Sequence, residues 1–251
     1  GLENKLDDLS NFISNLNNKL DLVCISETSQ KADTEFTLNV ALQGYKYPFS
    51  IGSHSARGGV AIYVNDKLNI AVRNDLNKIT NSFETIWIEI INKHSKNVLC
   101  CCSYRHPSSD VEEFSEYFNS CLNTINKEKK ECFITGDFNI DLLKTEDVTK
   151  YNEFVCMMTS HGFLPHILQP TRITEYTSTL IDNIYGNNTS YDTISGNILL
   201  QFSDHLCQFI SIPKTMEKTK LNDMYKRDYS KFDENSFLDD IDIQNWNAHE
   251  F

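Results

Sequence analysis

Apolar positions recur along this chain with two distinct periods. Leu2, Leu6, Leu9, Phe12, Ile13, Leu16 and Leu20 fall three and four residues apart, which predicts an amphipathic helix over residues 2–20. The same spacing returns at Phe114, Tyr117, Phe118, Cys121, Leu122 and Ile125, predicting a helix over 111–127 that ends in the charged run KEKKE. Val148, Tyr151, Phe154, Val155 and Met158 predict a third over 148–160. Between the helices the period drops to two or the runs become wholly apolar. LDLVCISE at 20–27, GGVAIYV at 58–64, FETIWIEII at 83–91, NVLCCCSYR at 97–105 and CFITGDFN at 132–139 read as strands, followed by TLIDNIYG at 179–186 and ILLQFSDHLCQFISI at 198–212. In the third of these, Phe83, Thr85, Trp87 and Glu89 alternate against Ile86, Ile88 and Ile90. The strands cluster between the helices instead of alternating with them one for one. That pattern suits two β-sheets packed face to face with helices outside.

The character changes after Pro213: residues 214–251 carry nine carboxylates against six Lys or Arg and few consecutive apolar residues, as a connector or tail would. The expected division is therefore a main domain at 1–213 and a connector at 214–251. With 251 residues and 40% hydrophobic content, the chain is long enough to build its core without disulfide or metal staples. The balance of 35 Asp and Glu against 23 Lys and Arg, a formal charge of −12, argues against a broad basic face that grips nucleic acid by charge alone. A local basic cleft is compatible with it. The eight cysteines sit mostly inside apolar runs and show no metal-binding spacing, which suits free thiols in a reducing, intracellular setting. No apolar run approaches the roughly 20 residues of a membrane span, and residues 1–12 lack a signal peptide's apolar core, so neither a membrane partner nor secretion is expected.

Four apolar runs end in residues of catalytic type: Glu27 in ISE, Asp137 and Asn139 in GDFN, Asp182 in IDN, and Asp204 and His205 in SDH. Strand ends are where a sheet can aim several such groups into one cleft. Glu27, Asp137, Asp182 and Asp204 are the oxygen ligands a hard divalent cation prefers, and Mg²⁺ suits them better than Zn²⁺ with a single nearby histidine. Asp137 and Asn139 lie two residues apart and can share a strand face, so Asp137 can take a proton from water while Asn139 positions it. An imidazolium at His205, fixed by a carboxylate such as Asp182, can stabilise charge on a phosphoryl group in the transition state.

Taken in order, DLVCISET, the CSYRHP segment, CFITGDFNIDLL, PTRIT, TLIDNIYGN and FSDHL resemble the endonuclease/exonuclease/phosphatase superfamily, in particular the apurinic-like endonuclease domain of non-LTR retrotransposons and its reverse-transcriptase-associated relatives. The resemblance covers nearly all of residues 1–213. It implies a four-layered α/β sandwich with two central, mostly antiparallel β-sheets flanked by helices, and metal-dependent cleavage of phosphodiesters with Mg²⁺, for which Mn²⁺ can substitute. By the same resemblance Glu27 and Asp204 are metal-side carboxylates, Tyr104 contacts phosphate, Asp137 activates water and Asn139 orients it. Asp182 pairs with the transition-state-stabilising His205, and Thr171 lies beside the substrate phosphates. Arg105 and Arg172, with Arg57 and His106 nearby, are expected to contact DNA, as is the NNTSYDT loop at 187–193.

The implied activity is nicking of double-stranded DNA in the nucleus to leave 3′-hydroxyl and 5′-phosphate ends, with a reverse-transcriptase domain fused beyond the connector. A phosphomonoesterase or phospholipase of the same superfamily, or a catalytically silent nucleic-acid-binding domain, are the alternative readings. The family opens with a short strand bearing an active-site asparagine, a few residues before the segment that GLENKLDDL resembles. The sequence begins at Gly1, so that strand is expected to be missing from this polypeptide.

Overall fold

In the computed structural model, which describes residues 2–17, 19–32, 41–46, 48–55, 57–93, 95–188, 192–212 and 232–243, the first helix is shorter than its apolar spacing suggests. A 3-10 turn at Leu2–Lys5 leads into α1 at Leu6–Ser14. The sequence SNLNN follows, and asparagine side chains compete for backbone hydrogen bonds and favour turns, so the helix stops there although Leu20 still packs beneath it.

The strands in chain order are β1 (Leu22–Ser26), β2 (Phe49–Ile51), β3 (Val60–Val64), β4 (Ile70–Val72), β5 (Lys78–Ile79), β6 (Phe83–Ile90) and β7 (Val98–Arg105). They continue as β8 (Glu131–Asp137), β9 (Leu164–Pro165), β10 (Arg172–Ile173), β11 (Ser178–Thr179), β12 (Asp182–Gly186), β13 (Ile194–Ile198) and β14 (Cys207–Ser211). Helices α2 (Val111–Glu128) and α3 (Thr149–Ser160) fall where the 3.6-residue period places them. Where one long final strand is expected over 198–212, the chain instead forms the β13–β14 hairpin, whose connection carries Ser203, Asp204 and His205.

Seven strands form the larger sheet, in the order β4-β6-β7-β8-β12-β9 with β5 also on β6; β7 and β8 are parallel and the other pairs antiparallel. A smaller sheet has the order β1-β3-β2. It lies face to face with the larger one, β3 over β6 and β7, and β1 over β7 and β8, while β14 lies over β12. Period two then sorts the residues. On β7, Leu99 and Cys101 face the helices, and Cys100, Cys102 and Tyr104 face the smaller sheet. On β6, Trp87 faces the helices while Ile86 and Ile88 face Val60, Ile62 and Val64 of β3.

The order of layers is therefore α1, smaller sheet, larger sheet, then α2 with α3. This is the α/β sandwich of two central sheets flanked by helices that the sequence predicts. α1 covers the outer face of the smaller sheet, with Leu6, Leu9 and Ile13 against Val23, Ile25 and Tyr63. The opposite face is sealed by α2 through Phe114, Phe118, Leu122 and Ile125, all 0% exposed, each contributing about 1.5–3 kcal/mol of burial. Asp110 caps α2 by accepting the Glu112 N–H at 3.0 Å, and the helix ends where Lys129 turns left-handed at φ 52.

Residues 1–213 and 214–251 separate into two compact units. In the second, the described residues form α4 (Glu234–Ile243), started by Asp233, which accepts the Asn235 N–H at 3.0 Å. The rest of the connector and residues 189–191 of the NNTSYDT loop lie outside the described residues. Among the described residues, no helix is long and apolar enough to cross a membrane.

Candidate active site

β8 and β12 are antiparallel neighbours in a register that sets Asp137 directly opposite Asp182. Like charges in that relation repel and need a compensating positive charge. Asp137 reaches its place through Gly136, where the backbone of β7 passes so close that a Cβ would stand 1.8 Å from the Ser103 carbonyl oxygen, and φ is +149. No residue but glycine fits there. Asp137 Oδ1 accepts the Asn139 N–H at 3.0 Å. Burial first, then the Asp182 charge, push the Asp137 carboxyl up to about 8.

His205 arrives from the β13–β14 connection, which is tied down by the Leu206 N–H donating to the Thr171 carbonyl at 2.7 Å. Its Nδ1 lies 2.9 Å and 3.1 Å from the two Asp182 oxygens. Burial lowers the imidazole pKa, but the hydrogen bond and charge of Asp182, with Asp137 and Asp204 nearby, raise it more, leaving it above its usual value. Asp137, Asp182 and His205 can each place one donor atom within 4.8 Å of the others. A buried pair of facing carboxylates beside a histidine has the hard-oxygen chemistry of a divalent-cation site.

Glu27 follows β1 on the smaller sheet and is exposed, with φ 56 in the left-handed region that few non-glycine residues occupy. The Tyr104 hydroxyl at the end of β7 donates to Glu27 Oε1 at 2.5 Å, which brings the two sheets' strand ends together. Burial, reinforced by that carboxylate, raises the Tyr104 phenol well above its ordinary value.

The other residues expected at the site are placed differently from one another. Arg105 is 2% exposed, and its guanidinium donates to the carbonyls of Phe138 at 2.7 Å, Asn139 at 2.6 Å and Ser109 at 2.7 Å. It thus ties β7 to the GDFN turn instead of facing solvent. Asn139 returns the contact, its side-chain amide donating to the Arg105 carbonyl at 2.7 Å. Thr171 is 0% exposed, and its hydroxyl donates to Asp182 Oδ2 at 2.6 Å, so it orients the histidine's partner from behind. Arg172 is exposed and pairs with the exposed Asp204 at 2.8 Å, a contact that lowers the Asp204 carboxyl although burial works the other way. Arg57 is exposed in the loop before β3, and His106 is turned inward.

Glu84, wholly buried at the cleft end of β6, escaped the sequence reading. The signal was there: it shares the two-residue phase of Ile86, Ile88 and Ile90, and a carboxylate on the apolar face of a strand needs a buried partner.

A two-sheet sandwich with acidic residues and a histidine converging at its strand ends defines a class of phosphoester-cleaving proteins. The sequence matches the Endonuclease/Exonuclease/phosphatase family over residues 1–205, and the chain belongs to that family. Membership supports metal-dependent phosphodiesterase or nuclease activity in general.

No curated protein matches the sequence. Among solved structures, the fold is similar to the endonuclease domain of TRAS1, a telomere-specific non-LTR retrotransposon, at 14% identity and TM-score 0.64, covering 85% of this chain and 93% of that one. It is also similar to the Xenopus laevis APE2 catalytic domain, at 17% identity and TM-score 0.55, with 84% and 86% covered. A 3′-5′ exonuclease from Neisseria meningitidis is similar at 13% identity and TM-score 0.57, with 84% and 95% covered. At these identities the likeness is one of fold.

Proposed function

We propose that this chain is a Mg²⁺-dependent DNA endonuclease that nicks double-stranded DNA and leaves 3′-hydroxyl and 5′-phosphate ends. The observation that carries the reading is the convergence of Asp137, Asp182 and His205 beside the Glu27–Tyr104 contact. Glu27, with Asp204 as a second carboxylate beside the Asp137–Asp182 pair, would hold the ion. When bound, the ion supplies positive charge against the phosphate oxygens.

Asp137, once ionised, takes a proton from water as the water oxygen bonds to phosphorus, and its buried place opposite Asp182 makes it a stronger base than an exposed carboxylate. The bond from phosphorus to the 3′ oxygen breaks, and that oxygen leaves as a hydroxyl after taking up a proton from solvent. His205, held through Nδ1 by Asp182, directs its other nitrogen to a phosphate oxygen, and Thr171 fixes Asp182. Arg172 at the cleft rim contacts the DNA backbone.

Residues 214–251 would lead toward a fused reverse transcriptase, and the nick would prime its synthesis on nuclear DNA. The resemblance also implies an asparagine-bearing strand upstream of Gly1. Among the described residues β1 and β14 each have one edge without a strand partner, and they lie over β7 and β8 and over β12, which would accommodate such a strand between them.

Relaxation of supercoiled plasmid tests the reading, run on this chain and on one extended upstream. Nicking that needs Mg²⁺, stops with EDTA and is lost in His205→Ala and Asp204→Ala supports it. Faster hydrolysis of phosphomonoesters or phospholipids would replace it with the phosphatase or phospholipase reading. Normal DNA binding without turnover by either chain in Mg²⁺ or Mn²⁺ would replace it with a binding module.

A further inference from the structure

Glu84 is a buried carboxylate that the chemistry above does not use. Its side chain is 0% exposed, and its two oxygens have different partners. Oε1 lies 2.9 Å from His106 Nε2, and Oε2 accepts the Gly59 N–H at 3.4 Å. Burying an ionisable group this deeply is costly unless its partners are fixed, and here the partner is a turn. Gly58 and Gly59 both have positive φ, at 130 and 84. A Cβ on Gly58 would stand 2.7 Å from Ser53 Oγ and 2.8 Å from His106 Cε1, and one on Gly59 would stand 2.5 Å from Thr28 Oγ1. The turn is thus clamped between His106 on one side and Thr28 on the other.

That turn holds the residues next to Glu27. The Thr28 N–H donates to the Gly59 carbonyl at 3.2 Å and the Ser29 N–H to the Gly58 carbonyl at 2.8 Å. Glu27 and Ser29 both sit in the left-handed region, at φ 56 and 62, so this stretch holds its shape only because its surroundings dictate it. A closed circuit results. Glu84 faces Tyr104 across the β6–β7 ladder, Tyr104 donates to the Glu27 side chain, the residues after Glu27 hang from Gly58 and Gly59, and Gly59 donates back to Glu84. The His106 ring closes it from the side, edge-on to Tyr104 at 5.0 Å.

We propose that the Glu84–His106 pair is a positioning device for Glu27, setting the backbone of the metal-side carboxylate through the Gly58–Gly59 turn. This rests on the reading of Glu27 as a metal ligand. Glu84 is wholly buried and His106 is turned inward against it, so both act as positioning residues.

The test is titration of the metal-free, DNA-free chain with Mn²⁺, followed by the EPR signal of free Mn²⁺, below the melting temperature of each variant. Glu27→Gln is the reference. Glu84→Gln and His106→Gln are each expected to weaken Mn²⁺ binding by about 10–100-fold, the usual effect of disturbing the residues behind a ligand. Combined with Glu27→Gln, neither should add a further loss, because each acts through Glu27. In turnover, the Mg²⁺ needed for half-maximal rate should rise by a similar factor while kcat at saturating Mg²⁺ stays within about threefold.

His106→Gln separates position from charge. Removing an imidazole can only take positive charge away, so electrostatics alone predicts equal or tighter cation binding, and that result would overturn the proposal. Full additivity with Glu27→Gln, the mark of a merely structural role, would overturn it too. If Glu84→Gln does not fold, His106→Gln, at a side chain 12% exposed against 0% for Glu84, carries the test alone. If Glu27→Gln itself leaves Mn²⁺ binding unchanged, the assignment of Glu27 as a ligand fails first, and this proposal with it.

Discussion

The two faces of the larger sheet are made by the same strands and have opposite energetics. Toward α2 and α3, residues such as Trp87, Leu99, Cys101, Ile134 and Tyr185 are at most 1% exposed and meet Phe114, Phe118 and Phe154 in an aromatic core. Toward the smaller sheet, the apolar residues of β6 and β7 give way at the cleft end to Glu84 and Tyr104, and the ends of β8 and β12 present Asp137 and Asp182. The first face is satisfied by its own packing. The second buries facing carboxylates that repel unless a proton or a cation lies between them. One face therefore gives the stability that the other spends on holding charge where chemistry needs it, a division typical of sites that trade stability for function.

The sharpest way to break this comparison is Asp137→Asn, which should move activity and stability in opposite directions. Loss of the proton acceptor should lower nicking by about 1,000-fold. Stability without metal should rise at pH 8. The folded pKa of Asp137, about 8, lies above the unfolded value near 4, so the folded state binds that proton more tightly. Its contribution is full at low pH and is lost as pH rises toward 8. His205, also raised when folded, adds in the same direction: its contribution is full below its unfolded value and fades as pH climbs through the folded one. Wild type should therefore melt lower at pH 8 than at pH 5.5. Asp137→Asn should remove most of that difference and raise Tm at pH 8 by about 5 °C, as followed by circular dichroism. An unchanged pH dependence would mean that the facing carboxylates are not strained.

The two faces were unequally legible in the sequence. The helix-side face is written in period two on β6 and β7 and in the 3.6 period of α2 and α3, because its residues touch only apolar neighbours. Its outlying strands β4, β5 and β9 are two or three residues long and carry no period at all. On the cleft face, residue type marked Asp137, Asp182 and His205, but not which way a polar side chain turns. Arg105 and Thr171 look like substrate contacts by type, yet register and the neighbouring turns aim them inward, at the GDFN backbone and at Asp182. Glu84 is marked in the sequence only by its phase, a charge in step with Ile86, Ile88 and Ile90 at the start of a strand, while the catalytic-type residues stand where apolar runs end.

Next in size is Phe118→Ala, at the centre of the helix-side core. Its ring meets Trp87, Phe114, Phe138 and Phe154, and the deletion leaves a cavity that rigid strands cannot close. A loss of about 3–5 kcal/mol in denaturant unfolding is expected. Nicking per folded molecule should stay close to wild type, since the cleft lies on the other side of the sheet. A matching fall in activity per folded molecule would show that the two faces are coupled and would dissolve the contrast drawn between them.

The smallest effect belongs to the rim, where the cleft face meets solvent. Arg172 and Asp204 are both largely exposed, with side chains 45% and 63% accessible, so their 2.8 Å pair contributes little to folding. Arg172→Ala should leave Tm nearly unchanged. If Arg172 swings to a DNA phosphate, its loss should weaken binding about threefold at moderate salt and reduce the slope of log affinity against log salt by about one. The −12 charge of the chain makes this slope a sensitive readout, because 35 Asp and Glu outweigh 23 Lys and Arg and leave the grip on the backbone to local cations. A slope identical to wild type would place the DNA away from this rim, and would leave Arg172 as a partner for Asp204 alone.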